Sequence, residues 1–133
     1  MLTESVPMSE PDLTDADIEA VVGVLRSRRW SLGPALEAFE RAFAEYVGAR
    51  FAVGVSSGTA ALHCAMAAAA IGPGDEVVTS SFSFVASANC ILFEGATPVF
   101  AEIDEETMNL DPAAVGAALT PRTRAGLPGH GFR

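Results

Sequence analysis

The sequence contains no lysine. Its eight basic residues are all arginine and are outnumbered by 17 acidic residues, so the formal net charge is −9. This balance argues against a nucleic-acid-binding role, because neutralising phosphates requires a basic face. The missing lysine also excludes a P-loop, and the glycine fingerprint of dinucleotide-binding folds is absent as well.

Cysteine and histidine are scarce too. Cys64 and Cys90 lie in apolar, alanine-rich surroundings, which predicts reduced core thiols rather than a disulfide framework. With His63 and His130 they form no recognisable metal-ligand spacing, so no metal site is predicted. The chain has no signal-peptide pattern, and its longest low-polarity run, residues 60–71, is shorter than the ~20 residues of a membrane span. We therefore expect a soluble, cytoplasmic protein without a membrane partner.

Apolar residues, in contrast, make up 50% of the 133 residues, and the mean hydropathy is +0.32. Both values lie at the upper edge for a soluble domain. Either the core is large, or part of the apolar surface faces another segment or subunit. We favour the second interpretation.

The order of elements predicts an α/β fold. Thr14 and Asp17 resemble a capping pair at the start of a helix that ends near Arg28, and Gly33-Pro34 begins a second helix that ends at Gly48. Short apolar runs then alternate with helical segments: strands are predicted at 51–55, 76–80 and 97–103, and helices at 59–70, 83–93 and 112–119. This alternation is typical of βαβ units with a mostly parallel sheet, here preceded by two helices.

The final segment, TPRTRAGLPGHGFR, breaks the pattern. Its position in the alternation requires another buried strand. It carries three glycines and one proline in its last eight residues, a composition that weakens an interior strand.

The turn SSGT, residues 56–59, is the main candidate site, and two interpretations of it are open. Residues 54–58 match the G-x-S-x-G nucleophile elbow, and Ser56, Asp111 and His130 follow the chain order of a hydrolase triad. Against a serine hydrolase stands the absence of upstream strands and of an oxyanion-hole loop.

The second interpretation is an anion cradle at a helix N-terminus. Ser57 and Thr59 provide hydroxyls there, and Gly58 and Thr59 provide backbone amides that a phosphate can approach closely. Serine and threonine are also ordinary helix N-caps, so the residues alone do not decide between a ligand site and a cap.

Four stretches together resemble one family: WSLGPALEAFERAFAEYVGAR, AVGVSSGTAALHCAMAA, the run from IGPGDEVV to NLDP, and ALTPRTRA. In this order they look like the front part of the DegT/DnrJ/StrS-type aminotransferases. These are fold-type-I pyridoxal 5'-phosphate (PLP) enzymes, most of which act on nucleotide-linked keto-sugars in polysaccharide or antibiotic sugar biosynthesis. The resemblance extends to about Ala125.

The resemblance implies a PLP site and its residues. Ser57, Gly58 and Thr59 would hold the cofactor phosphate, and Phe84 would stack on the pyridine ring. Trp30 falls in a segment near the substrate pocket, where interface packing and substrate contact are equally open. A nucleotide-linked keto-sugar and an amino-acid donor are the implied substrates, and a homodimer is the implied full-length form.

The resemblance also implies which parts this sequence lacks. The family's lysine, which forms a Schiff base with PLP, and the acidic partner of the pyridine nitrogen lie beyond residue 133 in the family pattern. Asp104 and Asp111 lie in the wrong segment to replace that acid. Pro128 and His130 match a Pro-x-His motif, although Gly126 and Gly129 stand where the family has bulky strand residues.

The expected organisation is therefore partial. Residues 1–33 form an arm and first helix, and residues 34–133 form the N-terminal part of the PLP-binding large domain, truncated before the catalytic lysine. We expect no catalytic residue in this chain and no activity of the chain alone. A non-catalytic binding or dimerisation module that docks on a full-length homologue is the alternative, and a serine hydrolase is a remote one.

Overall fold

The computed structural model describes residues 9–129, which form two compact units, the first ending at Gly54 and the second beginning at Val55. The first unit contains two helices, α1 (Asp15–Ser27) and α2 (Pro34–Val47). The second unit alternates helices and strands in the order α3 (Gly58–Ala68), β1 (Glu76–Ser80), α4 (Ala86–Phe93), β2 (Thr97–Ala101), α5 (Pro112–Ala118) and β3 (Thr123–Leu127).

Both helices of the first unit begin and end where the sequence predicts. Thr14 and Asp17 form a complete capping box, in which the Asp17 carboxylate accepts the Thr14 N–H at 2.8 Å. Arg28 closes α1 in the left-handed conformation, with φ 57°. Gly33 precedes Pro34 at the start of α2, and Gly48 ends that helix with φ 69°, a value that glycine adopts without a steric penalty.

The strand predicted at residues 51–55 is wrong. This segment has no ladder partner among the described strands, and Phe51 and Val53 are exposed. It contacts α2 instead, where the Gly54 N–H donates to Glu40 Oε1 at 2.7 Å. A strand exists only when a neighbour supplies hydrogen bonds, and the short apolar run could not show whether one was present.

The second unit contains a three-stranded parallel sheet with the order β2-β1-β3. The predicted parallel α/β fold is therefore confirmed. Every residue of the central strand β1 is buried, as expected of a strand covered on both faces. The proline of β2, Pro98, lies on an edge strand, where the missing N–H removes no ladder bond from a third neighbour.

The glycine-containing tail does form a strand. β3 pairs with β1 after a register shift between Glu76 and Val77, and the Thr79 hydroxyl donates to the Leu127 carbonyl at 3.0 Å. Of the glycines in the tail, only Gly126 lies inside β3, since the strand ends at Leu127, before Pro128 and Gly129. The predicted weakness therefore does not prevent pairing at an edge, where a strand needs only one partner.

The core of the second unit lies between this sheet and the helices α3 and α4, which pack on each other. Its fully buried side chains belong to Val77, Val78, Thr79, Cys90 and Ile91. Many large apolar side chains remain about half-exposed or more in both units, among them Phe39, Phe43, Leu92, Phe93 and Phe100. None of the helices in residues 9–129 combines the length and the apolar character needed to cross a bilayer.

Glu76 is a buried carboxylate at the start of β1, and it makes stability depend on pH. The Thr120 hydroxyl and then the Arg122 guanidinium hydrogen-bond to it and lower its pKa, against the opposing effect of burial. A carboxyl whose pKa is lower in the folded state stabilises the fold above its unfolded-state pKa. That contribution is lost as the pH falls through the folded-state value.

We therefore expect stability to decline between about pH 5 and pH 3, and Glu76→Gln to flatten part of this decline. Urea midpoints measured over this range check the prediction. Other carboxyls titrate here too, so the relevant quantity is the difference from wild type, with the exposed Glu102→Gln as the matched control. Equal slopes for Glu76→Gln and wild type would show that the hydrogen bonds from Thr120 and Arg122 do not stabilise the charged form.

Candidate functional site

The loop before α3 is organised by Ser57. Its backbone is extended, with φ −164° and ψ 164°, and its hydroxyl accepts the Ala60 N–H at 3.1 Å. Its carbonyl accepts the Ala61 N–H at 3.0 Å. Ser57 is therefore the N-cap of α3, and its hydroxyl keeps one hydrogen that it can still donate.

Gly58 and Thr59 form the first two positions of α3. Within the described part of the chain, neither backbone N–H has a hydrogen-bond acceptor, as is usual for the first turn of a helix. The first turn of α3 carries no acidic residue, whereas that of α1 carries two. The positive end of the α3 dipole is thus uncompensated, and a Cβ on Gly58 would meet no atom within 4 Å. The two amides are therefore free to donate to an anion.

A cavity of about 640 Å³ opens beside this turn. Its volume lies within the ~300–1,000 Å³ typical of small-molecule sites. The residues that line it are Gly58, Thr59, Ala61, Leu62, Ala65, Phe84, Ala86 and Ser87. The structure thus brings three of the four predicted cofactor residues to one cavity. The fourth, Ser57, adjoins it as the helix cap and is not among the lining residues.

Phe84 reaches the cavity from the segment that follows the carboxyl end of β1, the location where parallel α/β sheets usually bind ligands. The helix predicted at 83–93 begins later, at Ala86, because residues 81–83 form bends. The Ser80 hydroxyl accepts the Phe82 N–H at 3.0 Å and stabilises this bent segment. The Phe84 side chain is 76% exposed. A flat aromatic face therefore remains available for stacking at the cavity wall.

Two other candidate carboxylates serve local structure. Asp104 accepts the Thr107 N–H at 2.8 Å and the Thr107 hydroxyl at 2.9 Å, and these bonds lower the pKa of Asp104. Asp111 caps α5 by accepting the N–H groups of Ala113 and Ala114. The predicted start of α5 at Asp111-Pro112 is confirmed.

Trp30 belongs to the first unit. Its indole N–H donates to the Leu25 carbonyl at 3.0 Å, at the end of α1, and its side chain is 69% exposed. The polar atom of the indole is therefore occupied within the unit, and its apolar face is the part left for packing or for a ligand.

Among the remaining candidates, neither Cys64 nor Cys90 lines the cavity. The triad interpretation needs His130, which lies outside the described residues. Cys90 is buried, and that burial raises the pKa of its thiol, as predicted for a core residue. Cys64 is exposed on α3, so its predicted core position is wrong. The described residues contain no group of three metal-ligating side chains close enough to hold an ion.

Sequence reasoning missed Ser87. It is half-buried on the first turn of α4, and it shares the cavity wall with Phe84. The separation of three residues was a usable signal, because positions i and i+3 lie on one side of a helical turn.

Comparison with known proteins places these features in a family context. The model of the DegT/DnrJ/EryC1/StrS aminotransferase family matches residues 11–132. The spore coat polysaccharide biosynthesis protein SpsC of Bacillus subtilis (strain 168) is 50% identical over 125 residues, which cover 94% of this chain and 32% of SpsC.

Solved structures of similar proteins also match this chain. S. venezuelae DesV superposes with a TM-score of 0.79 at 49% identity, over 84% of this chain and 30% of DesV. Bacillus subtilis NtdA, with the cofactor PMP bound, gives a TM-score of 0.81 at 33% identity, over 87% of this chain and 28% of NtdA. The chain thus spans about a third of the length of these relatives.

Proposed function

Because the chain belongs to the DegT/DnrJ/EryC1/StrS aminotransferase family, we propose that it is the N-terminal portion of a PLP-dependent sugar aminotransferase. The complete enzyme would transfer an amino group from an amino-acid donor to a nucleotide-linked keto-sugar. The task of this N-terminal portion in the complete enzyme is to hold the cofactor. The observation that supports this is the convergence of Gly58, Thr59 and Phe84 on one cavity.

The donor set fits a phosphate. Gly58 and Thr59 offer two backbone N–H groups at a helix N-terminus whose dipole no acidic side chain offsets. The hydroxyls of Ser57 and Thr59 add hydrogen bonds, and Ser57 also keeps the turn in place by capping α3. These residues bind and orient the phosphate, and none of them transfers a proton in the reaction.

The Phe84 ring fits the flat part of the same cofactor. When bound, PLP supplies an electron sink for the transfer. Phe84 sets the plane of the cofactor ring, and the apolar lining residues Ala61, Leu62 and Ala65 help to exclude water from it. The 133 residues contain no lysine to attach the cofactor covalently, so we propose that the chain alone binds PLP reversibly and does not catalyse transamination.

The phosphate loop is tested by titrating the chain with PLP and with pyridoxal, which lacks the phosphate. We expect wild type to bind PLP at least about tenfold more tightly, because a hydrogen bond to a charged group contributes ~1.5–3 kcal/mol. Thr59→Ala removes one such donor and should weaken PLP binding about tenfold without affecting pyridoxal. Isothermal titration calorimetry measures both affinities.

Thr59→Ser is the matched control for this experiment. It keeps the hydroxyl, and it should bind PLP within about twofold of wild type, since only a methyl group is lost. Circular dichroism establishes that each variant remains folded. Equal affinities of wild type for PLP and pyridoxal would overturn the proposed phosphate loop.

A second candidate function is a non-catalytic module that docks on a full-length homologue. The exposed apolar side chains of both units favour it, because such surfaces often mark interaction sites. Phe39 and Phe43 are examples: their ring centroids are 5.8 Å apart, and both side chains are about half-exposed. This function does not require a phosphate loop. If wild type binds PLP and pyridoxal equally tightly, docking on a full-length homologue becomes the better-supported function of this chain.

A further inference from the structure

The polar side chains of the cavity wall are two, Thr59 and Ser87, and the other lining residues are glycine, alanine, leucine and phenylalanine. Thr59 lies at the N-terminal end of α3, where a phosphate is expected. Ser87 lies on α4, the other helix that borders the cavity. In a mostly apolar cavity, a ligand without a polar group opposite such a hydroxyl leaves the hydroxyl without a hydrogen bond. One hydroxyl can therefore discriminate between otherwise similar ligands.

The Ser87 hydroxyl is held by a neighbour. The Oγ atoms of Ser83 and Ser87 are 2.8 Å apart, a hydrogen-bond distance at which either can donate. Two hydroxyls carry two hydrogens, and their mutual bond uses one of them. When Ser83 donates, the Ser87 hydrogen is free to point into the cavity, and when Ser87 donates, its lone pairs remain free to accept.

Backbone geometry ties this hydroxyl to the predicted stacking ring. The Ser87 N–H donates to the Phe84 carbonyl at 3.0 Å, so the ring and the hydroxyl belong to one turn at the start of α4. Ala86, between them, is buried and also lines the cavity. Gly129 adjoins Ser83, because a Cβ placed on it would lie 3.4 Å from the Ser83 hydroxyl oxygen, an ordinary van der Waals distance.

We propose that Ser87 is a specificity-determining residue whose hydroxyl hydrogen-bonds to a polar substituent on the edge of an aromatic ring bound against Phe84. Ser83 acts as a positioning residue that holds the Ser87 hydroxyl. The inference rests on the proposed function, because it takes the ligand to be a ring with a phosphate arm. It adds that the cavity distinguishes rings with a polar edge from purely apolar rings.

Two probes separate this contact from phosphate binding. Pyridoxine 5'-phosphate carries a polar ring and no aldehyde, and benzyl phosphate carries an apolar ring with the same kind of phosphate arm. We expect wild type to prefer pyridoxine 5'-phosphate. Ser87→Ala should weaken the binding of that ligand about fivefold and leave benzyl phosphate unchanged, since one neutral hydrogen bond is removed.

Three further variants sharpen the test. Ser87→Thr keeps the hydroxyl and should preserve the preference. Ser83→Ala should reduce the preference by about twofold, and the double variant Ser83→Ala/Ser87→Ala should match Ser87→Ala, because Ser83 acts through Ser87. Ser81→Ala, at an exposed serine outside the cavity lining, is the matched control and should have no effect.

The readout is the ratio of the two affinities, measured by calorimetry on variants whose circular dichroism matches wild type. If Ser87 has a purely structural role, Ser87→Ala weakens the binding of both ligands equally, and this result would overturn the inference. If both ligands bind through their phosphates and Ser87→Ala changes neither affinity, the inference fails while the proposed function stands. If wild type binds neither ligand, the phosphate loop itself fails and the inference fails with it.

Discussion

Ile91→Ala is expected to lower the free energy of unfolding of the second unit by about 2–5 kcal/mol. The Ile91 side chain is 0% exposed and packs in one cluster with Val77, Cys90 and Met66. Truncation removes its transfer free energy and leaves a cavity that β1 and α4 cannot fill, since both are held by backbone hydrogen bonds. A loss of this size is a large part of the ~5–15 kcal/mol that holds a typical domain.

Urea unfolding followed by far-UV circular dichroism measures the effect. Leu92→Ala is the matched control, because Leu92 is the next residue of the same helix and is 55% exposed. We expect this control to lose less than about 1 kcal/mol. A similar loss for the two variants would show that α4 does not pack on the sheet through Ile91.

Gly33→Ala is expected to destabilise the first unit by about 1–3 kcal/mol. Gly33 is buried, and a Cβ placed on it would lie 2.4 Å from the Arg29 carbonyl oxygen and 3.2 Å from the Arg29 carbonyl carbon. Its φ of −91° is open to any residue, so the penalty is a steric clash and not a strained dihedral. Because the obstructing atoms are backbone, relief requires the link between α1 and α2 to move.

Gly23→Ala provides a control of opposite sign. Gly23 lies inside α1, and a Cβ there meets no atom within 4 Å, so the substitution should stabilise the helix by about 0.5–1 kcal/mol. Trp30 is the only tryptophan and lies in the first unit, so its fluorescence during urea titration follows that unit. A Gly33→Ala midpoint at or above that of wild type would contradict the clash.

Local signals predicted most helix ends correctly. The Thr14 capping box, the Gly48 end of α2 and the Asp111 cap of α5 all depend on atoms within a few residues of one another. Strand β1 was predicted residue for residue because it follows a glycine-rich turn and contains three consecutive β-branched residues, Val77, Val78 and Thr79. Such features need no knowledge of distant neighbours.

Strands at the margins were predicted less well. Residues 51–55 have the composition of a strand and yet form none, whereas Thr123–Leu127 contains a glycine and pairs with β1. A strand's backbone donors and acceptors are satisfied by another segment, so its formation depends on which segment lies beside it. Composition alone does not contain that information.

The candidate site divides in the same way. Sequence by itself determined the family, the parallel α/β fold and the SSGT turn at the start of α3, because these follow from residue order and from contacts between near neighbours. The family resemblance had already assigned Thr59 and Phe84 to one cofactor site, and tertiary structure alone decided that Ser87 joins them in the same cavity. Phe84 and Ser87 follow Thr59 by more than 20 positions along the chain, and only the packing of α4 on α3 brings them to the cavity beside it.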